Sequence, residues 1–364
     1  MDEYRILPID RSHNERMISI LRGAPINSGL FTVCFDKSPD IFAIPRMKYS
    51  DCMHLGFFRG DELKGFASLG YHDALIGGRI EKIFCLFHFY VMPEARGRHF
   101  SEKALEIFLD DISGKANFGY CLTLKGNRQV EILVGRQLHG QAPASAIAGD
   151  LIIRSVIFSL PKRNRTVYSV RNATINDIPD IVRLLNTEQE KRDMGQVYTE
   201  NTFSQSITKR MIGTEDYYMA VDRAGRNVGT CLAWDCSSFR RTRVIKFSPK
   251  FYPLLYTYRI LEKILPMAPL PAEGECFSEL TITDCAAEAR NPAIIHALLT
   301  EVYHRNLNRK YHFMNFGSCS GDPQLDAAKG FMFTNVTSSI IFISLDRNRF
   351  RTELNLPCVD IAYL

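Results

Sequence analysis

The chain has 364 residues, 46% hydrophobic and 23% charged, with a formal net charge of +5. That balance excludes a disordered tail or a fibrous repeat, and the length suits two domains. The charge is a mild excess that suits an anionic ligand without requiring nucleic acid. In chain order, the pattern predicts a strand at 4–6, a helix at 16–21 and a hairpin of 53–58 with 63–69, turning at Arg59-Gly60-Asp61. A strand at 83–91 then leads through a turn into a helix at 102–112. A strand at 120–124 and a helix capped by Asn127, with Val130, Leu133, Val134 and Leu138 on one face, precede a closing strand at 146–160.

The polar stretch 161–165 breaks the pattern and predicts a linker, dividing the chain into domains 1–163 and 164–364. The second half repeats the order: a strand at 168–170, a helix at 178–185 behind Asp177 and Pro179, and a hairpin of 217–221 with 228–234. Gly65 and Gly229 hold the same place in the two second hairpin strands. A strand at 243–247, a turn and a helix at 254–265 follow. Next come a strand at 280–283, a helix capped by Asn291, and closing strands at 311–316 and 337–345. The order reads as an α/β or α+β sheet in each half.

The segment from Tyr90 to Ser101 carries the chemistry. An apolar strand runs into a turn holding Arg96, Gly97 and Arg98, and the turn opens onto a helix. N–H groups at a helix start lack intrahelical partners and the dipole favours negative charge there, so this is an anion site suited to a pyrophosphate. Gly97 lets the backbone approach a ligand closely.

With Val91-x-Pro93-Glu94-x-Arg96-Gly97 at the mouth of the fourth strand, the chain resembles the GNAT acyltransferase superfamily. The resemblance implies two GNAT-like domains, each a mixed, mostly antiparallel sheet flanked by helices. It implies acetyl-CoA or another acyl-CoA as co-substrate, with the pyrophosphate wrapped by Arg96, Gly97, Arg98, His99, Phe100 and Ser101. His99 and Ser101 stand where the family usually has small residues. Tyr90 and Val91 would face the thioester, and Asn127 would contact the cofactor. The equivalent turn of the second half is either 248–253, where Pro253 removes an amide donor, or 284–291, where Asp284 and Glu288 repel phosphate. On either register no CoA is expected there, and the second half would complete the acceptor groove.

The implied reaction moves an acyl group from a thioester to an amine of a small molecule or peptide. Candidate catalytic residues are Cys85, at the family's usual base position, Glu81, on the same strand parity, His88, on the opposite parity, and Tyr120. The bland readings are a buried apolar thiol, a solvated hairpin glutamate, a hydrogen-bonded core histidine and a strand tyrosine. The alternative function is a non-catalytic acyl-CoA-binding or regulatory module.

Phe251, Tyr252, Tyr256 and Tyr258 suggest core packing or a pocket wall. The ten cysteines form no Cys-x-x-Cys pair, which predicts reduced thiols in a cytoplasmic protein. The nine histidines show no metal-ligand spacing, so no metal is expected. No secretory leader or run near the ~20 apolar residues of a membrane helix is visible, so no membrane partner is expected, nor is nucleic acid.

Overall fold

The computed structural model describes residues 4–27, 30–127, 144–163, 166–350 and 354–364. The first half holds β1 (Tyr4–Pro8), α1 (Asn14–Arg22), β2 (Ile26–Asn27), β3 (Phe31–Asp36), α2 (Ala43–Lys48), β4 (Asp51–Arg59), β5 (Glu62–Ile76), β6 (Arg79–Val91), α3 (Phe100–Ile112), β7 (Phe118–Leu124) and β8 (Ala144–Ile157). The second holds β9 (Ser169–Asn172), α4 (Ile178–Gln189), α5 (Glu200–Arg210), β10 (Tyr217–Val221), β11 (Asn227–Trp234), β12 (Arg241–Phe247), α6 (Tyr252–Ile264), β13 (Cys276–Phe277), β14 (Glu279–Ala287), α7 (Pro292–Arg305), β15 (Phe313–Cys319) and β16 (Phe333–Ser344). The helix expected beyond Asn127 lies outside the described residues.

Among the described residues, twelve strands form one continuous sheet in the order β1-β4-β5-β6-β7-β16-β8-β15-β14-β11-β10-β9. The order is palindromic in role. From either edge, four antiparallel strands lead to a parallel pair, β6/β7 or β14/β15. Each pair is joined by a crossover helix, α3 or α7, as a parallel connection requires. At the centre each half lends its last strand to the other. β16 lies between β7 and β8, and β8 pairs with β15.

α3 lays Phe100, Ala104, Phe108 and Ile112, spaced four apart, against Leu55, Phe57, Leu69, Phe84 and Leu86. α7 packs Ile294, Leu298 and Val302 against Val228, Leu280 and Phe316 in the same manner. On the opposite face, Cys85, Tyr49, Tyr120, Met194, Val359 and Ile361 form a core fed by both halves.

The second half departs from one of its two sequence registers. Residues 243–247 belong to β12, which sits in a separate sheet ordered β13-β12-β3-β2, and the helix after it packs beside that sheet. The counterpart of β6–α3–β7 is therefore β14–α7–β15, so the equivalent turn is the 284–291 register. β3, which joins the halves through β12, has no place in the sequence reading. Its run Phe31-Thr32-Val33-Cys34-Phe35-Asp36 lacks clean alternation because both faces are covered.

Candidate active site

β6 and β7 pair from Ile83/Phe118 to Leu86/Cys121 and then part, although β6 continues to Val91 and β7 to Leu124. Beyond Leu86 the β7 edge of β6 thus faces a wedge, while its other edge stays paired with β5. At the same level the β5–β6 register slips: Phe66 opposes Tyr90, but Ser68 opposes Phe87. The extra residue is absorbed at His88, which takes a left-handed φ of 57°.

The bulge breaks strand alternation, which corrects the parity assigned to His88. The Phe87 ring stacks on Tyr49 at 5.0 Å, on the face away from α3. His88 lies on that same face, with its ring 5.9 Å from Phe66 and its Nε2 3.0 Å from Lys37 Nζ. Phe89 then resumes the α3 face against Phe108. His88 and Cys85 consequently share one face.

The second half repeats the device. β14 and β15 pair only to Ile282/Phe316, and the β11–β14 register slips beside Asp284, whose φ is 48°. Gly65 opposes Val91 and Gly229 opposes Ala287, three residues beyond the respective bulges. A Cβ on Gly65 would meet the Tyr90 carbonyl at 2.6 Å, so close backbone approach requires glycine there.

Around the first wedge the side chains are buried and short of counter-charges. Burial, then the neighbouring Arg240 and Lys48 charges, pushes the Lys37 ammonium down to about 7. Burial, then Lys37 and His54, holds His88 well below the usual imidazole range. Burial pushes His54, whose Nδ1 lies 2.8 Å from Ser68 Oγ, down to about 4. Burial, then Lys48, pushes His72 down to about 3. The Nδ1 atoms of His72 and His88 are buried with no protein partner. A neutral imidazole beside a lysine that titrates near neutrality can accept and pass a proton.

Cys85 and Tyr120 oppose each other on the last rungs before the wedge. Burial first, and the Cys85 thiol second, raises the Tyr49 and Tyr120 phenols well above their usual range. Tyr120 lies inside β7 rather than at its start. Lys48 Nζ stands 5.3–5.6 Å over the Tyr49, Tyr120 and Tyr363 rings. A cavity on this face is lined by both halves: Lys48, His72 and Tyr120 from the first, Asp284, Ser318 and Tyr363 from the second. Glu81 stands apart, ion-paired with Arg349 and four residues, about 13 Å of strand, from Cys85.

The turn before α3 forms a cradle. Gly97 and His99 take left-handed φ values of 75° and 55°. Among the described residues, the N–H groups of Gly97, Arg98 and His99 have no acceptor. Alternating left-handed residues turn such donors to one side, which makes a concave anion nest. Arg96 Nε donates to the Val91 carbonyl at 3.2 Å, and the Arg98 guanidinium lies 5.4 Å over the Tyr4 ring. The His99 Nδ1 is hydrogen-bonded to the Glu102 carboxylate. Phe100 is buried and stacks on Phe57, which anchors the helix start, and Ser101 follows in the first turn. Tyr90 donates its hydroxyl to the Gly23 carbonyl at 3.3 Å. The Asn127 N–H bonds the Leu124 carbonyl.

The matching turn of the second half also has left-handed residues, Ala289 (φ 52°) and Arg290 (φ 53°), but differs around them. Asn291 N–H bonds the Glu288 carbonyl, Asn291 Oδ1 accepts from Ala293 N–H, and Pro292 has no N–H. Arg290 turns inward to Glu188 (3.2 Å) and Asp322 (2.8 Å).

Lys37, Tyr49, Lys48, His54 and His72 escaped the sequence reading. Each lies outside the motif-bearing strand and reaches the wedge only through tertiary packing. No local spacing marks them.

No protein-family model matches the sequence, and no curated protein matches it. Solved structures do match. A Saccharomyces cerevisiae N-myristoyltransferase with bound myristoyl-CoA and inhibitors gives a TM-score of 0.63 at 10% identity, covering 97% of this chain and 82% of that one. A conserved Enterococcus faecalis protein described as "Probable N-Acyltransferase" gives 0.54 at 9% identity, covering 96% and 74%. A GCN5-related N-acetyltransferase from Anabaena variabilis gives 0.53 at 9% identity, covering 95% and 74%. At such identities the likeness carries the fold, a GNAT-type architecture with two pseudo-equivalent halves.

Proposed function

We propose that this GNAT-fold chain is a CoA-dependent N-acyltransferase acting on an amine of a small molecule or peptide. The observation that carries the reading is the junction of two features. Unused amides at residues 97–99 lie at the end of the strand whose parting from β7 opens a wedge. A pyrophosphate on Arg96, Gly97, Arg98, His99, Phe100 and Ser101 directs the rest of an acyl-CoA along Tyr90 and Val91 into that wedge. Asn127 borders the cofactor path.

In this reading the acceptor amine comes from the face bearing Cys85, His88 and Tyr120. Its neutral nitrogen attacks the thioester carbon, and β6 amides near His88 hold the oxyanion. The C–N bond forms, the C–S bond breaks, and CoA departs as the thiol. His88 relays the proton lost by the nitrogen to Lys37, the stronger base of the pair. Tyr120, next to Cys85, donates a hydrogen bond to the departing sulfur, which takes up the proton lost by the nitrogen on release. A thiol pKa of roughly 8.5 makes a weak acid sufficient. Glu81 serves β6 through its pair with Arg349.

Residues 1–163 and 164–364 form the two halves of this scheme, the second completing the acceptor groove. The ten unpaired cysteines favour a cytoplasmic setting. Acetyl-CoA and longer acyl-CoA both fit the cradle, which reads only the nucleotide end.

The test is CoA thiol release from acetyl- and long-chain acyl-CoA across a panel of amines, alongside calorimetry with CoA. Turnover that depends on amine supports the reading. CoA binding without turnover on any amine would establish the non-catalytic alternative, and absence of CoA binding would remove both.

A further inference from the structure

α6 leaves its apolar side in water. Leu255 is its buried residue, packed in the cluster of Val244, Phe247, Phe251 and Phe277. The Tyr258 hydroxyl donates to the Ala268 carbonyl (2.9 Å), and Glu262 accepts from Leu270 N–H (3.1 Å), so these two also face the protein. Tyr252, Leu254, Tyr256, Ile260, Leu261 and Ile264 are exposed, from 39% at Leu261 to 74% at Ile264. Residues 252, 256, 260 and 264 form one row, Leu261 adjoins it at Ile264, and Leu254 lies two turns back from Leu261 on the far flank. This is a continuous stripe where a solvated helix carries polar side chains. It overturns the core-packing expectation for Tyr252 and Tyr256.

The exposed charges carried by the helix itself are basic. Arg259 and Lys263 are exposed on the helix, Lys250 lies just before it, and Lys246 stands on β12. None of the four forms an ion pair among the described residues. The helix's carboxylate, Glu262, is turned inward.

We propose that α6 is a peripheral membrane-docking face that lies on an anionic phospholipid surface. An interfacial helix needs an apolar stripe, aromatic residues that sit at headgroup level and basic residues that meet lipid phosphates. Tyr252 and Tyr256, the Leu/Ile row, and Arg259 with Lys263 supply these. A second copy of the chain fits less well, because a two-fold contact on this stripe sets the same cations against each other. The helix is 13 residues long, so it lies on a bilayer rather than crossing it. This goes beyond the sequence expectation of no membrane partner, which rested on the absence of a spanning run.

Sedimentation with two vesicle types tests the proposal: phosphatidylcholine alone, and phosphatidylcholine with one-third phosphatidylglycerol. The full chain should sediment with the anionic vesicles and not with the neutral ones. Replacing both Arg259 and Lys263 by Gln should weaken binding on the order of 30-fold. Ile260→Glu with Ile264→Glu should abolish it. All four side chains are exposed, so unchanged thermal unfolding will show that both variants fold. Failure of the parent chain to bind anionic vesicles, or equal binding by both variants, would overturn the proposal. So would light scattering that shows a dimer broken by Ile260→Glu, which would assign the stripe to self-association.

Discussion

Gly97→Asp should weaken CoA binding on the order of 30-fold, and Gly97→Ala should leave it nearly unchanged. Gly97 has φ 75°, and a Cβ added there would meet nothing within 4 Å. The alanine variant therefore carries only backbone strain, about 1–2 kcal/mol for a left-handed L-residue. That strain is present in free and bound protein alike, so it lowers folding stability and leaves affinity nearly unchanged. Aspartate adds a negative charge beside the nest. At roughly 5 Å in a solvent-exposed site, each phosphate charge costs about 1 kcal/mol. Two such charges weaken binding by about 2 kcal/mol, on the order of 30-fold, and salt should shrink the gap. Calorimetry with CoA on parent, Ala and Asp chains, with urea unfolding of each, reads both quantities. Equal affinities for Asp and parent, or an alanine loss as large as the aspartate loss, would refute the cradle.

Lys37→Met should erase the limb of the kcat/KM profile near pH 7. Because Lys37 falls from 10.5 to about 7 on folding, the unfolded chain holds the proton between those values. Parental stability therefore rises with pH across that window, and the Met variant's advantage should be greatest below pH 7 in urea titrations. His54, His72 and His88 are all held neutral, so stability should fall as pH drops below 6.5 toward about 4 and about 3. Each contributes roughly 1.4 kcal/mol per pH unit, and His54→Gln should flatten the slope measured by denaturant unfolding. Asp36 is fully buried beneath Arg22 (2.9 Å), Arg243 (2.5 Å) and Arg241 (3.6 Å). Asp36→Ala should cost about 1.5–3 kcal/mol in equilibrium unfolding by removing the charge-assisted bonds to three partly exposed guanidinium groups. An effect below 1 kcal/mol would show that solvent already satisfies them.

What could be read from the residues alone was what acts over short range. The Arg96–Ser101 turn is legible because a strand, a glycine and a helix start are local events whose unused amides follow from helix geometry. The repeated order of elements, and the shared place of Gly65 and Gly229, follow from periodicity and turn chemistry in the same way. The rest needed distant parts of the chain to meet. The bulge that puts His88 on the face of Cys85 is set by β5 pairing, and strand parity read on one strand cannot register an extra residue. Lys37 reaches His88 because β3 pairs with β12 of the other half. The true counterpart of β6 in the second half was hidden because two stretches had equally good strand–turn–helix patterns. The pairing of β14 with β15, and of β12 with β3, decided which stretch faced a parallel neighbour, because pairing energy belongs to the partners and not to either strand.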